Sequence, residues 1–190
     1  MTTDIEVHPW EPFIHEDTRL LIMGTFPPQP KRWSMDFYYP NRTNDFWYMM
    51  GLIFFGDKYA LYNKESKSFD VDRIKALLIE KRIGLNDTGY KIRRLQGNAS
   101  DKFLEIVEPV NLARLLDRMP QCRAVATTGE KAAGVVASLT DTAPPAIGHF
   151  VTTENLLEIW RMPSTSRAYP LALEKKAEVY EKMFRHLDIV

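Results

Sequence analysis

Cysteine is almost absent from this chain. Of 190 residues only Cys122 is one. That excludes a disulfide framework, a cysteine zinc site and an iron–sulfur cluster held by four cysteines. The four histidines, His8, His15, His149 and His186, are scattered without metal-ligand spacing, so no metal and no cofactor are expected. Long apolar runs are missing too. The longest, Phe46 to Phe55, is about half the ~20 residues a bilayer requires, so no membrane partner is expected. The first residues carry neither the basic nor the apolar stretch of a secretory signal, and a cytoplasmic location is expected. The glycine-rich fingerprints GxGxxG and GxxxxGK[ST] are absent, and Gly24 stands alone after its strand. No GxSxG elbow supports acyl transfer.

An excess of charge of one sign is also lacking. Lys plus Arg number 25, Asp plus Glu number 25, and the formal net charge is +0. The signs are nonetheless segregated. Residues 1–18 form an acidic N-terminal extension holding Asp4, Glu6, Glu11, Glu16 and Asp17 with no Lys or Arg. Residues 91–102 carry Lys91, Arg93, Arg94 and Lys102 against Asp101. Residues 161–186 carry Arg161, Arg167, Lys175, Lys176, Lys182 and Arg185, with 174–186 read as a solvated mixed-charge helix. Binding depends on local patches, so a zero sum does not exclude a nucleic-acid partner.

What is present is an ordinary globular composition, 45% hydrophobic and 26% charged. It predicts a single domain over 1–190, and a monomer. Arg19–Gly24, Ile83–Leu85, Arg123–Thr127, Phe150–Thr152 and Leu156–Trp160 read as strands. Asp45–Phe55, Asp70–Lys81, Leu112–Leu116, Glu130–Leu139 and Leu171–Leu187 read as helices. Gly89 to Asp101 reads as a basic loop. The alternation predicts an α/β fold, a three-layer α/β/α sandwich with a mainly parallel central sheet. In such sheets ligands bind beyond the carboxyl ends of strands. The loops 25–43, 88–101 and 162–169 each follow a strand and are expected to converge there.

Aromatic residues are concentrated. The chain has 10 Phe, 4 Trp and 8 Tyr, and nine of these fall between Trp33 and Phe55. Those after residue 45 suit a core helix. Trp33, Phe37, Tyr38 and Tyr39 lie in a proline-flanked loop beside Lys31, Arg32 and Arg42, where rings suit stacking on a nucleobase or folding back on the core. Met162 to Arg167 joins a strand end to three hydroxyls and an arginine, a composition fit for phosphate or for capping the next helix. Asn44 opens a helix, and Asn is a favoured N-cap. Asp87, and Asp101 with Ser100, are second-tier polar candidates, with a purely structural role as the alternative.

Four ordered motifs between residues 19 and 170 resemble the uracil-DNA glycosylase superfamily. They are Gly24-Thr25-Phe26-Pro27; Phe37-Tyr38-Tyr39 with Asn44-Asp45-Phe46-Trp47; Thr128-Gly129; and Pro163-Ser164-Thr165-Ser166. Within the superfamily the pattern is most similar to the hypoxanthine-DNA (deoxyinosine) glycosylase, or family-six-like, branch. The resemblance implies the glycosylase sandwich fold and hydrolysis of the N-glycosidic bond of a deaminated base, uracil or hypoxanthine, after base flipping. It implies Asn44 as the catalytic residue and a base pocket of Gly24, Thr25, Phe26, Pro27, Tyr39 and Thr128. Ser164, Thr165, Ser166 and Arg167 would grip the DNA backbone. Departures from the pattern are specific. Phe26 stands where mismatch-specific relatives carry asparagine, and Met162 where classical members carry histidine. Arg42-Thr43 replaces His-Pro, and Arg167 replaces a proline. The alternative readings are a non-catalytic nucleic-acid or nucleotide-binding protein on the same fold, and a hydrolase of free nucleosides.

Overall fold

A computed structural model describes residues 4–96 and 101–190. The strands are β1 (Ile5–Val7), β2 (Leu20–Gly24), β3 (Tyr62–Asn63), β4 (Ser68–Phe69), β5 (Ile83–Asp87), β6 (Gly89–Arg94), β7 (Leu104–Pro109), β8 (Ala124–Thr127), β9 (His149–Thr152) and β10 (Glu158–Arg161). The helices are α1 (Phe46–Phe55), α2 (Val71–Lys81), α3 (Leu112–Asp117), α4 (Glu130–Thr140) and α5 (Leu173–His186).

The central sheet has the order β5-β2-β8-β10-β9. It is mixed rather than mainly parallel. The pairs β5–β2, β2–β8 and β8–β10 are parallel, but β9 returns antiparallel to β10 because the short turn through Thr153 and Leu156 makes a hairpin rather than a crossover. The period-two alternation of β2 assigns its faces. Leu20 and Ile22 pack with side chains of α1, α2 and α5, whereas Leu21 and Met23 pack with Leu112, Leu115 and Val136 of α3 and α4. Helices therefore cover both faces of the sheet.

Local chemistry explains the element ends. α2 begins where the Asp70 carboxylate accepts from the Arg73 N–H at 3.0 Å, and buries Ile74, Leu77 and Leu78 at helical spacing. α1 stops at Gly56, whose φ of 67° lets its N–H reach the Leu52 carbonyl at 3.0 Å.

A second, antiparallel sheet has the order β1-β6-β7. Here the structure corrects one expectation. The segment from Gly89 is not a loop: β6 buries Ile92 and Arg94 and is held between two strands. Residues of the acidic extension pack on the sheets. β1 pairs with β6, and Phe13 exchanges backbone hydrogen bonds with Leu85 at 2.9 and 3.0 Å. The acidic N-terminus meets basic strands directly. Arg94 donates to Glu6 at 2.8 Å, while Lys91 pairs with Glu108 and Arg93 with Glu105 across β6–β7.

Candidate functional site

Four parallel strands end on one side of the central sheet, at Gly24, Asp87, Thr127 and Arg161. The loops that leave them border a cleft of about 1120 Å³. Its lining includes Asn44, the 24–27 segment, Tyr39, Thr128, Asp87, Asp101 and Ser164 to Arg167. The structure thus brings together Asn44, the base-pocket residues, the 164–167 residues, Asp87 and Asp101; Ser100 lies outside the described residues. His149, the remaining histidine of interest, is on edge strand β9 and not in the lining.

The loop after β2 is fixed from three directions. The Gly89 N–H donates to the Thr25 carbonyl at 2.9 Å, Arg94 donates to the Pro27 carbonyl at 2.8 Å, and the Trp33 indole donates to the Pro28 carbonyl at 2.7 Å. Pro27 and Pro28 have no N–H, so within residues 25–28 only Thr25 and Phe26 keep backbone donors. The Phe26 ring lies edge-on to His8, with centroids 5.3 Å apart. Gly24 is required by close approach: a Cβ there would fall 2.7 Å from Asp87 Oδ1 and 3.2 Å from the Tyr39 hydroxyl.

Tyr39 has a φ of 53°, a left-handed backbone that a non-glycine residue adopts only when its surroundings enforce it. Its ring stacks on Phe46 at 3.9 Å and 13°, and its hydroxyl bonds Thr128 Oγ1 at 3.0 Å. Burial raises the phenol pKa, so the hydroxyl stays protonated. Of the four loop aromatics, Tyr39 alone lines the cleft. Phe37 and Tyr38 are buried in the core, and Trp33 packs on Trp10 with centroids 4.8 Å apart. The reading of these three as ligand-stacking rings is corrected: they fold back because core contacts are available to them.

Asn44 does not cap α1 as its N-cap residue, which is Asp45. Its Oδ1 instead accepts the Phe46 N–H at 2.9 Å, an Asx turn one position early. Its Nδ2 has no protein acceptor among the described residues. The adjacent Asp45 is the anchor of the site, and sequence reasoning passed over it. Its N–H donates to the Thr165 carbonyl at 2.8 Å, Oδ1 accepts from Arg167 at 3.1 Å, and Oδ2 accepts from Lys176 at 2.9 Å. Lys176 is fully buried and also donates to the Ser166 carbonyl at 2.8 Å. The expectation that 174–186 is wholly a solvated face fails at this residue, which crosses from α5 to α1 and clamps the 163–167 loop between them. Tyr180 adds a hydrogen bond to the Pro163 carbonyl at 2.9 Å.

The polar end of the cleft holds two carboxylates. Asp101 accepts from the Thr25 hydroxyl at 2.8 Å. The residue touches solvent at the cleft mouth, yet the protein around its carboxyl raises its pKa; Asp87 raises it further, while the Thr25 hydrogen bond opposes the shift. Asp87 is buried and meets His8 Nε2 at 2.8 Å. His8 reaches this position from the end of β1, enclosed by Trp10, Phe26 and Tyr38. Burial disfavours its charged form, but the hydrogen bond and charge of Asp87 outweigh that, and the imidazole pKa is raised. No local signal identified His8, because its partner lies 79 residues away.

Arg32, Lys102, Lys131, Arg161 and Arg167 line the cleft against Asp87, Asp101 and Glu130. With Asp87 facing His8, the lining carries net positive charge suited to an anionic ligand. Among the described residues no group of three or more His, Cys, Asp or Glu is placed to hold a metal ion. No described helix is long and apolar enough to cross a membrane.

No family model matches the chain, and no curated protein matches it. Among solved structures, it is similar to the solution NMR structure of a putative uracil DNA glycosylase from Methanosarcina acetivorans. The sequences are 23% identical, the TM-score is 0.67, and the match covers 97% of this chain and 99% of that one. At that identity the likeness is one of fold, extending over nearly the whole of both chains.

Proposed function

We propose that the chain is a DNA glycosylase of base-excision repair, which flips a deaminated base, uracil or hypoxanthine, out of DNA and hydrolyses its N-glycosidic bond. The observation that carries this reading is the convergence of Asn44, Tyr39 and the 164–167 loop on one cleft beyond the strand ends. The fold shared with a putative uracil DNA glycosylase supports it. The sequence pattern favours the hypoxanthine branch as the nearer guide to the substrate.

The chemistry follows from the groups present. Tyr39, backed by Phe46, offers a rigid stacking face, a contact worth about 1–3 kcal/mol per base. Asn44 Oδ1 is engaged by Phe46, which directs its amide toward the donor role on a base carbonyl. The Thr25 and Phe26 N–H groups add donors for negative charge as the base departs, a task histidine performs where Met162 stands here. The C1′–N bond breaks with positive charge on the sugar. Asp87 and Asp101 hold water at C1′ and balance that charge; the water supplies the new C1′–O bond and releases a proton. Ser164, Thr165, Ser166 and Arg167 hold backbone phosphate.

The test is a base-release panel on duplexes containing uracil, hypoxanthine, xanthine or mispaired thymine. Release from at least one deaminated duplex is expected, and Asn44→Ala should slow it by about 10²–10³-fold, the loss typical of one preorganised donor. Equal release by the variant removes Asn44 from the mechanism. A second reading, non-catalytic DNA binding, is favoured by Met162 and Phe26 at positions where relatives carry polar groups. It wins if no duplex loses a base but binding weakens with salt. Activity on free nucleosides alone would favour a nucleoside hydrolase.

A further inference from the structure

Beside the cleft lies a smaller open groove of about 420 Å³, of whose lining the mechanism above uses only Arg167. Arg42, Lys64, Lys67 and Arg167 supply its cations, and Tyr48 and Tyr62 its rings. No acidic residue lines it, although the chain holds as many acids as bases. It is continuous with the cleft, because Thr43 and Arg167 border both.

The groove is built on a fixed pier. The Asn63 side chain accepts the N–H groups of Glu65 and Ser66 at 2.9 and 3.1 Å, which closes the turn between β3 and β4. Lys67 ends that turn with a φ of 51°, a left-handed backbone held by the hairpin. Tyr62 and Phe69 pack against each other and against Tyr48 of α1, with centroids 5.2 to 5.6 Å apart. Lys64 and Lys67 form no ion pair among the described residues; the Lys64 ammonium lies 4.8 Å from the Tyr59 ring centroid. The Arg167 guanidinium is held at the junction, 5.5 Å from the Tyr48 ring centroid and bonded to Asp45.

Cations without acids, rings among them, and an unbroken path to an anion-accepting cleft match a strand of nucleic acid, whose phosphates recur along a chain carrying flat bases. We infer that the groove is a second DNA subsite, which takes backbone phosphates of the strand flanking the nucleotide held in the cleft. This rests on the reading of the cleft as a DNA site. It adds that the preferred substrate is an extended strand rather than an isolated nucleotide.

The experiment measures binding of a trinucleotide and of a roughly 20-nucleotide strand, each carrying the deaminated base, over a range of salt concentrations. The proteins are wild type, the groove variant Lys64→Ala/Lys67→Ala, and the charge-matched control Lys182→Ala/Arg118→Ala. The control residues are exposed and line neither cavity. Wild type should favour the long strand. The groove variant should lower the salt slope for that strand by about 1.4, the value for two lost phosphate contacts on a single strand. It should leave trinucleotide binding as in the control. Equal slopes for the groove variant and the control, with wild type binding both strands, overturn the subsite alone. Failure of wild type to bind either strand overturns the cleft reading, and the subsite with it.

Discussion

Two regions of this molecule are equally basic in sequence and opposite in state. In the β1–β6–β7 sheet, Lys91, Arg93 and Arg94 each meet a glutamate, at 2.6 to 2.8 Å. Around the cleft, Arg32, Lys102 and Arg161 make no ion pair among the described residues, while Arg167 and buried Lys176 share the single carboxylate of Asp45. The sheet uses its cations to hold strands and the loop after β2. The cleft leaves its cations open to an outside anion. A basic stretch therefore says little about binding until its partners are known, and these lie 12 to 88 residues away.

The comparison breaks most readily at Lys176. Lys176→Met removes the buried cation and leaves Asp45 with only the exposed Arg167. Loss of one partner of a buried pair costs about 3–5 kcal/mol, so a large drop in denaturation midpoint is expected. DNA binding by the remaining folded fraction should fall with it, because the 163–167 loop loses its clamp. An unchanged midpoint would mean that the clamp is dispensable.

A smaller effect should appear at His8, the residue that joins the two regions. Its pKa is raised in the folded protein above its ordinary 6.5. The protonated imidazole therefore contributes stability that is fully present below about pH 6.5 and is lost as pH rises through the folded value. His8→Gln should flatten this part of the stability–pH curve, measured as melting temperature at roughly pH 6 and 8. A curve for the variant that keeps the wild-type fall would assign the dependence to another group.

The smallest effect is expected within the sheet. Lys91→Ala breaks an exposed, solvent-screened pair and should leave the denaturation midpoint nearly unchanged. DNA affinity should stay within twofold of wild type when measured beside the groove variant Lys64→Ala/Lys67→Ala. Equal loss of affinity from both would erase the distinction between the two regions.

What could be read in advance follows the range of the interactions concerned. β2 and α2 are legible because the residues that bury them lie within their own periodic patterns. β6 is not: its alternation of Tyr90 and Ile92 with Lys91 and Arg93 is submerged in charge that Glu6, Glu105 and Glu108 meet from distant segments. The antiparallel return of β9 depends on a turn whose geometry no hydrophobic pattern encodes. Within the cleft, Gly24, Tyr39, Asn44 and Ser164 were found through motif resemblance, each in a short contiguous pattern. His8, Asp45 and Lys176 were missed because their work is to hold other residues, across 79 and 131 positions of chain. Phe37 and Tyr38 look like their neighbour Tyr39 in sequence and differ from it only in which way the loop turns.

The bond from Lys176 to Asp45 has a consequence for the protein's biosynthesis. Residue 8 holds Asp87 at one end of the cleft, and residue 176 supplies its clamp at the other. A chain still on the ribosome holds the strands that outline the cleft well before α5 has emerged to fasten the 163–167 loop. The nascent protein therefore passes through synthesis with the 163–167 loop unfastened, and the docking of α5 is the step that completes the cleft.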